Sequence, residues 1–314
     1  MESNFNEIKQ EILRRAKEAS ACRREYGRAY AAETISELSQ VIKDNFDWVC
    51  DYGVLTVDLI EQYKEDFSAN DIYTNQNVEN GYLLCSDAKV EARGNTIVKA
   101  YGNSKVEAYG NAKVEAFDST IVRAYNSTMI QACNNATVKA FDDATVEACN
   151  NATVMAHGSS TVMAHSNATV EASGNATVRA YGNATVKAYD DATVVAYGNT
   201  TVKAYDSATV EACNNATVEA YDNAYCTSYF TIDCKLFGHA IYRVRNANTV
   251  YYADSNIKFA KQRQKLHRTK NGIHSLLSLE RVKWAYESAK WERISMLVEL
   301  INYKKTYSKF ILYY

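Results

Sequence analysis

The chain has 314 residues, enough for one large domain or two ordinary ones, and its 35 Lys and Arg against 37 Asp and Glu leave a formal net charge of −2. That balance excludes a globally basic nucleic-acid binder and an acidic tail protein. A hydrophobic content of 47% excludes a chain disordered by composition, and no apolar run reaches the roughly 18 residues of a membrane span. In chain order, residues 1–78 predict a helical N-terminal cap domain. Phe5, Ile8, Ile12, Ala16 and Ala19 mark one helical stripe. Thr34 with Glu37 reads as a capping box, followed by Ile35, Leu38, Val41, Ile42 and Phe46. Thr56 opens a third helix carrying Leu59, Ile60, Tyr63 and Phe67.

From Asp87 the sequence locks into a period of eight, DAKVEARG, NTIVKAYG, NSKVEAYG, and runs through NATVEAYD to Asp222, which makes 17 octads. Position 6 is Ala in all 17, position 4 is Val in 16 with Ile130 the exception, and positions 8 and 1 are always Gly, Asn, Asp or Ser. Such a short period sets the fold. Positions 2 to 7 alternate, which predicts a six-residue strand with positions 2, 4 and 6 inward. Positions 8 and 1 predict a corner, since Gly, Asn and Asp accept a left-handed backbone. The absence of proline fits, because every N–H is needed for ladders between coils.

One octad cannot stand alone. Its single Val contributes about 1.5–3 kcal/mol on burial, whereas ordering eight residues costs about 1–2 kcal/mol each. Stacking is therefore obligatory, and the fold class expected is mainly β, a parallel β-solenoid of 8-residue repeats. Ala-Val-Ala suits two thin sheets pressed together, so a coil of two octads is preferred over a triangular coil of three.

The solenoid is placed at 79–254. Cys85 and Ser86 fit positions 7 and 8, and TIDCKLFG, HAIYRVRN and ANTVYYAD (231–254) keep the phase with larger inward residues: Ile232, Cys234, Leu236, Tyr242, Val244, Val250 and Tyr252. Eleven two-octad coils at about 4.8 Å each predict a rod about 50 Å long. Residues 255–314 carry 13 Lys or Arg against 4 acids. They divide into a basic segment, KFAKQRQKLHRTKNG (258–272), and a C-terminal helix over 273–303 with Leu276, Leu279, Val282, Tyr286 and Ala289 on one stripe and Trp284 and Trp291 on another.

The run NATVRAYGNATVKAYDDATV (175–194), VIKDNFDW (41–48) and the stretch AYCTSYFTIDCKLFGHAIYRVRNANTVYYADSNIKFAKQ (224–262) carry a resemblance. Over roughly residues 34–262 the chain resembles the octapeptide-repeat proteins of gut bacteria and their phages and mobile elements. That resemblance implies family membership and no particular activity. The architecture is also similar to bactofilins and pentapeptide-repeat proteins. MESNFNEIKQEILRR lacks a secretory core. With eight cysteines and no CxxC pair, reduced thiols are expected, hence a cytoplasmic location, or a virion-associated one for a phage protein.

Position 3 is Thr in the last 11 octads, position 5 is charged in 13 of 17, and position 7 is mostly aromatic. The candidate binding surface is the aromatic set Tyr101, Phe117, Tyr181 and Tyr197, with Tyr109, Tyr125, Phe141, Tyr189, Tyr205 and Tyr221. The plainer reading is that Thr and Tyr ladders stabilise sheets. Charge beside most Thr argues against an ice-binding face. His157 and His165 fall on opposite faces of a two-octad coil and cannot share a metal. The Asp pairs Asp142-Asp143 and Asp190-Asp191 read as turn chemistry. No metal, cofactor or catalytic residue is expected, and no GxxxxGK or GxSxG motif occurs. Three functions are weighed: a non-enzymatic scaffold or interaction protein, with a protein partner or self-association; a nucleic-acid-associated protein with anion contacts at Lys258, Lys261, Arg263, Lys265, Arg268 and Lys270; and a carbohydrate-binding solenoid.

Overall fold

The computed structural model describes residues 4–253, 268–269 and 272–273. They form six helices and a mainly β region of parallel stacked strands, a β-solenoid of about ten turns. The chain divides into two compact units, Met1–Val154 and Met155–Tyr314.

The helices belong to the first unit: α1 (Phe5–Glu18), α2 (Arg23–Ala31), α3 (Ile35–Asp44), α4 (Phe46–Asp51), α5 (Val57–Gln62) and α6 (Lys64–Ser68). The predicted stripe is the buried face of α1, with Ile8, Ile12 and Ala16 in the core. Thr34 caps α3 by accepting from the Glu37 amide at 3.2 Å, while Glu37 reaches back to the Glu33 amide at 2.7 Å. Thr56 caps α5 in the same way, accepting from the Leu59 amide at 3.3 Å. The third predicted helix breaks at Tyr63, so Phe67 lies on the separate α6.

Beyond the helices, successive octads alternate between two sheets. Within the first unit Thr145–Ala148 pairs on Met129–Ala132, with Thr145 opposite Met129. Within the second, Thr161 stands opposite Thr177 and Thr169 opposite Thr185. Each pairing is parallel, and the partners are two octads apart. Positions 2, 4 and 6 form the core: the octad Val residues are 0–1% exposed, Ile130 3%, and the position-6 Ala residues 0%. Where position 2 is Thr or Ser it is buried too, and the hydroxyls of Thr96, Ser104 and Thr200 donate to the carbonyl three residues earlier, at 2.6, 2.7 and 2.5 Å.

Apart from the five-residue Ile97–Tyr101, the octad strands are four residues long, positions 3 to 6, rather than the six expected. The amide of position 2 is turned inward to the carbonyl of position 7, as in Thr120 to Phe117 at 3.1 Å, so a turn replaces the ends of the strand. Position 8 alone is left-handed, at φ 53–71° in every octad, whether Gly, Asn, Asp or Ser. Coils remain hydrogen-bonded around the corner: Asn111 donates to Gly94 at 2.9 Å and Phe117 to Ala100 at 2.9 Å. Corner carboxylates join in. Asp118, Asp142, Asp190, Asp206 and Asp222 each accept from the position-8 amide one coil earlier, at 2.9–3.3 Å.

At its first layers the stack departs from the predicted phase. Ile72–Thr74 pairs on Tyr82–Ser86, which pairs on Ile97–Tyr101 with a separation one residue short of two octads. Cys85 is therefore opposite Ala100 and fully buried, and Ser86 and Asp87 occupy the places of positions 7 and 8. Asp87 is the left-handed residue, at φ 52°. Side-chain carbonyls end the ladder here: Asn75 accepts from Ser86, Asn77 from Glu91 and Asn80 from Asn95, at 3.1, 2.8 and 3.1 Å.

The far end in the second unit differs from expectation. Asp233–Leu236 and Ile241–Val244 continue the parallel stack, but Thr249–Tyr252 pairs antiparallel with Ile241–Val244. The left-handed residue has moved from position 8 to Asn248 (φ 47°), so the chain doubles back on its own sheet and the eleventh predicted coil is not completed. Arg268–Thr269 and Gly272–Ile273 form a short antiparallel pair, so the predicted C-terminal helix does not include Ile273; its remaining residues lie outside the described ones.

Candidate functional site

Position 7 follows each strand, pointing outward, and its amide stays in the ladder. Side chains in alternate octads therefore repeat at the ladder spacing of about 4.8 Å. In the first unit Tyr109 stacks on Tyr125 and Tyr125 on Phe141, with centroids 4.9 and 5.1 Å apart and planes within 10°. In the second unit Tyr189, Tyr205, Tyr221 and Phe237 form a continuous column at 5.0, 4.8 and 4.6 Å. The other sheet carries Tyr101 on Phe117 at 5.0 Å in the first unit, and His165, Tyr181 and Tyr197 at 5.0 and 5.1 Å in the second. All ten predicted aromatics thus lie in such columns. Phe237 extends one of them, and its place at position 7 of TIDCKLFG is the sequence signal for it.

The rings are nearly parallel, so inside a column each face is covered by its neighbour. What a column offers outward is ring edges and phenol oxygens, whereas stacking on a sugar requires a free face. Arg93 takes one terminal face, its guanidinium 4.8 Å from the Tyr109 centroid.

Beside the rings, position 5 forms charge ladders. Lys187 meets Glu171 at 2.8 Å, Lys203 and Lys235 both meet Glu219 at 3.0 and 3.3 Å, and Arg123 meets Glu107 at 3.1 Å. Arg245, at position 7 of HAIYRVRN, pairs with the position-5 Glu211. Bonding to Lys203, Tyr221 and Lys235 lowers the Glu219 carboxyl below its ordinary value. These pairs are exposed and contribute little stability individually.

Tyr101 differs from the other candidates. Its hydroxyl donates to Asp51 of α4 at 2.8 Å, and its ring packs against the helical core. Lys99, at the nominally outward position 5, is 1% exposed, with Nζ 2.7 Å from Asp51, 2.8 Å from Glu115 and 3.8 Å from Asp47. Although burial opposes its charge, Asp51 and Glu115 raise the Lys99 ammonium above its ordinary value. Octad periodicity alone places Lys99 in solvent, and nothing in that periodicity announces α4.

Among the described residues no group of three or more His, Cys, Asp and Glu is arranged to hold a metal. His157 bonds Ser173 across one coil at 2.8 Å. A small cavity of about 30 Å³ lies among the helices, lined by Ile12, Tyr26, Leu38, Asn45, Trp48 and Val54. It has room for a water or two. No helix among the described residues is long and apolar enough to cross a membrane. Of the anion candidates, Arg268 opens the short strand Arg268–Thr269, while Lys258, Lys261, Arg263, Lys265 and Lys270 lie outside the described residues. Comparison of the chain with family models, with curated proteins and with solved structures returns no match.

Proposed function

We propose that the chain is a non-enzymatic scaffold of the octapeptide-repeat kind, whose position-7 columns serve as an interaction surface for a protein partner or a second copy. The observation that carries this reading is the ordering of Tyr189, Tyr205, Tyr221 and Phe237 at 4.6–5.0 Å with planes within 9°. Rings held by both neighbours lose little freedom on association, so the entropic cost of ordering an interface is reduced. The half-buried edges of the three Tyr rings, beside paired charges, match the Tyr-rich and polar character of reversible interfaces. Sugar recognition has weaker support, since the ring faces are stacked. Nucleic-acid association rests on the composition of residues 255–314 and would show as a steep loss of affinity with salt.

The test is to purify the full-length chain and a Tyr189→Ser/Tyr205→Ser/Tyr221→Ser variant under identical conditions from the native host. Captured proteins are identified by mass spectrometry and oligomeric mass by light scattering. A partner or assembly lost only in the variant, with unchanged far-UV circular dichroism, is the expected result. Identical partners and identical mass for both proteins would overturn the reading.

A further inference from the structure

Two cysteines interrupt the column that begins with Tyr101 and Phe117. The next two residues at position 7 of that sheet in the first unit are Cys133 and Cys149, and the preceding alanines, Ala132 and Ala148, are paired in register. The Cys149 amide donates to the Ala132 carbonyl at 2.9 Å. Both thiols are free and half-buried, and Cys149 Sγ lies 3.5 Å from the Ala132 carbonyl. Burial, followed by the hydrogen bond to Cys149, pushes the Cys133 thiol up to about 12.

Spacing decides what this pair can do. A disulfide needs its Cβ atoms about 3.5–4.5 Å apart. In-register neighbours of a parallel ladder stand about 4.7–4.9 Å apart with side chains leaving in the same direction. The rings of Tyr101 and Phe117, one step back in the column, are 5.0 Å apart. A direct S–S bond fits the Cα spacing but needs the Cβ atoms a few tenths of an ångström closer than the ladder spacing of about 4.8 Å. An ion between the sulfurs does not, because two metal–sulfur bonds of about 2.3 Å end to end span about 4.6 Å. Coordination number narrows the choice of ion. With no third ligand among the described residues grouped there, an ion that demands four protein ligands is poorly served. Thiolates select soft ions, copper(I) among them.

We propose that Cys133 and Cys149 form a two-thiolate site for one soft monovalent cation of the copper(I) class. Two S–H bonds break, two S–metal bonds form and two protons pass to solvent, with no change in oxidation state. Because both protons must leave, affinity rises with pH. The expectation of no metal rests on ligands close in sequence; here the ligands are two octads apart and meet only through the register.

The test titrates copper(I) into the full-length protein, anaerobically and against a competing chelator, with native mass spectrometry for stoichiometry. One tightly held ion is expected. Cys133→Ser and Cys149→Ser should each weaken it at least tenfold, and each should retain the wild-type circular dichroism. Cys213→Ser, at the same kind of position with no thiol beside it, should leave it unchanged. Wild-type affinity in either Cys133→Ser or Cys149→Ser would overturn the proposal. So would transfer of the effect to Cys226→Ser, whose thiol lies beside that of Cys234. Ready formation of a Cys133–Cys149 disulfide under mild oxidation, detected by peptide mapping, would overturn the geometric argument.

Discussion

Replacing Ala164 by Leu tests the thin core. Ala164 is 0% exposed and stands in register with Ala180, also 0% exposed, between Val162 and Val178 at 0%. Leu adds three carbons to a space that holds a methyl group. The backbone cannot retreat cheaply, since the Tyr181 amide donates to the Ala164 carbonyl at 2.8 Å. Overpacking typically costs about 1–3 kcal/mol, and a site tied this way should fall at the upper end, about 3 kcal/mol. At about 2–4 °C per kcal/mol for a domain of this order, the melting temperature should fall by roughly 6–12 °C. Thr161→Leu, on the same strand but facing outward, should stay within about 0.5 kcal/mol, which is less than about 2 °C. Both variants would be melted in parallel by circular dichroism. Equal losses, or a larger loss for Thr161→Leu, would refute the assignment of the two faces.

Three further outcomes follow from the first unit. Lys99→Ala removes the cation shared by Asp51, Glu115 and Asp47, and should cost about 1–3 kcal/mol in thermal unfolding, below the roughly 3–5 kcal/mol of a fully buried pair because those carboxylates still reach water. Gly81→Ala should destabilise measurably, since φ is 122° and a Cβ would lie 2.7 Å from the Asp71 carbonyl oxygen and 2.8 Å from the Tyr73 ring; Gly110→Asn, at a corner where Asn126 and Asn134 adopt similar angles, should be far milder. Hydrogen bonds from Arg14 and Arg15 lower the Glu11 carboxyl to about 2. Its ionised form is thus favoured by folding, so its contribution is complete above the unfolded value of 4.5 and fades as pH falls toward 2. NMR titration giving a midpoint near 4.5 would contradict this.

Much of this architecture is legible in the residues because each octad repeats one local decision. Val at position 4 and Ala at position 6 state the inward face, and Gly, Asn or Asp at position 8 states the corner. The caps at Thr34 and Thr56 are legible for a similar reason, since a hydroxyl three residues before a free amide is a local signal. What escapes depends on longer reach. The short strands come from an amide choosing the turn carbonyl over the ladder. The shifted register at Cys85 comes from the pairing of Tyr82–Ser86 with Ile97–Tyr101, one residue short of the regular step. The reversal at Asn248 comes from moving one left-handed residue by two places. At the candidate surface, the aromatic columns can be read from periodicity, whereas the burial of Lys99 and the partial burial of Tyr101 require α4, a helix of six residues with too few turns to show a pattern.

The two-octad register also restricts how such a chain can change length. Removing one octad from a stack with two octads per coil would send every later octad to the opposite sheet. Odd and even columns would exchange partners: a glutamate set beside a lysine would meet whatever the other face carries, and the reversing hairpin would close the wrong side. Removing two octads leaves the sheet assignments intact and deletes a single layer. Duplications and deletions within this repeat are therefore silent or disruptive according to their parity, and a deletion of residues 183–198 should be tolerated where a deletion of residues 183–190 is not.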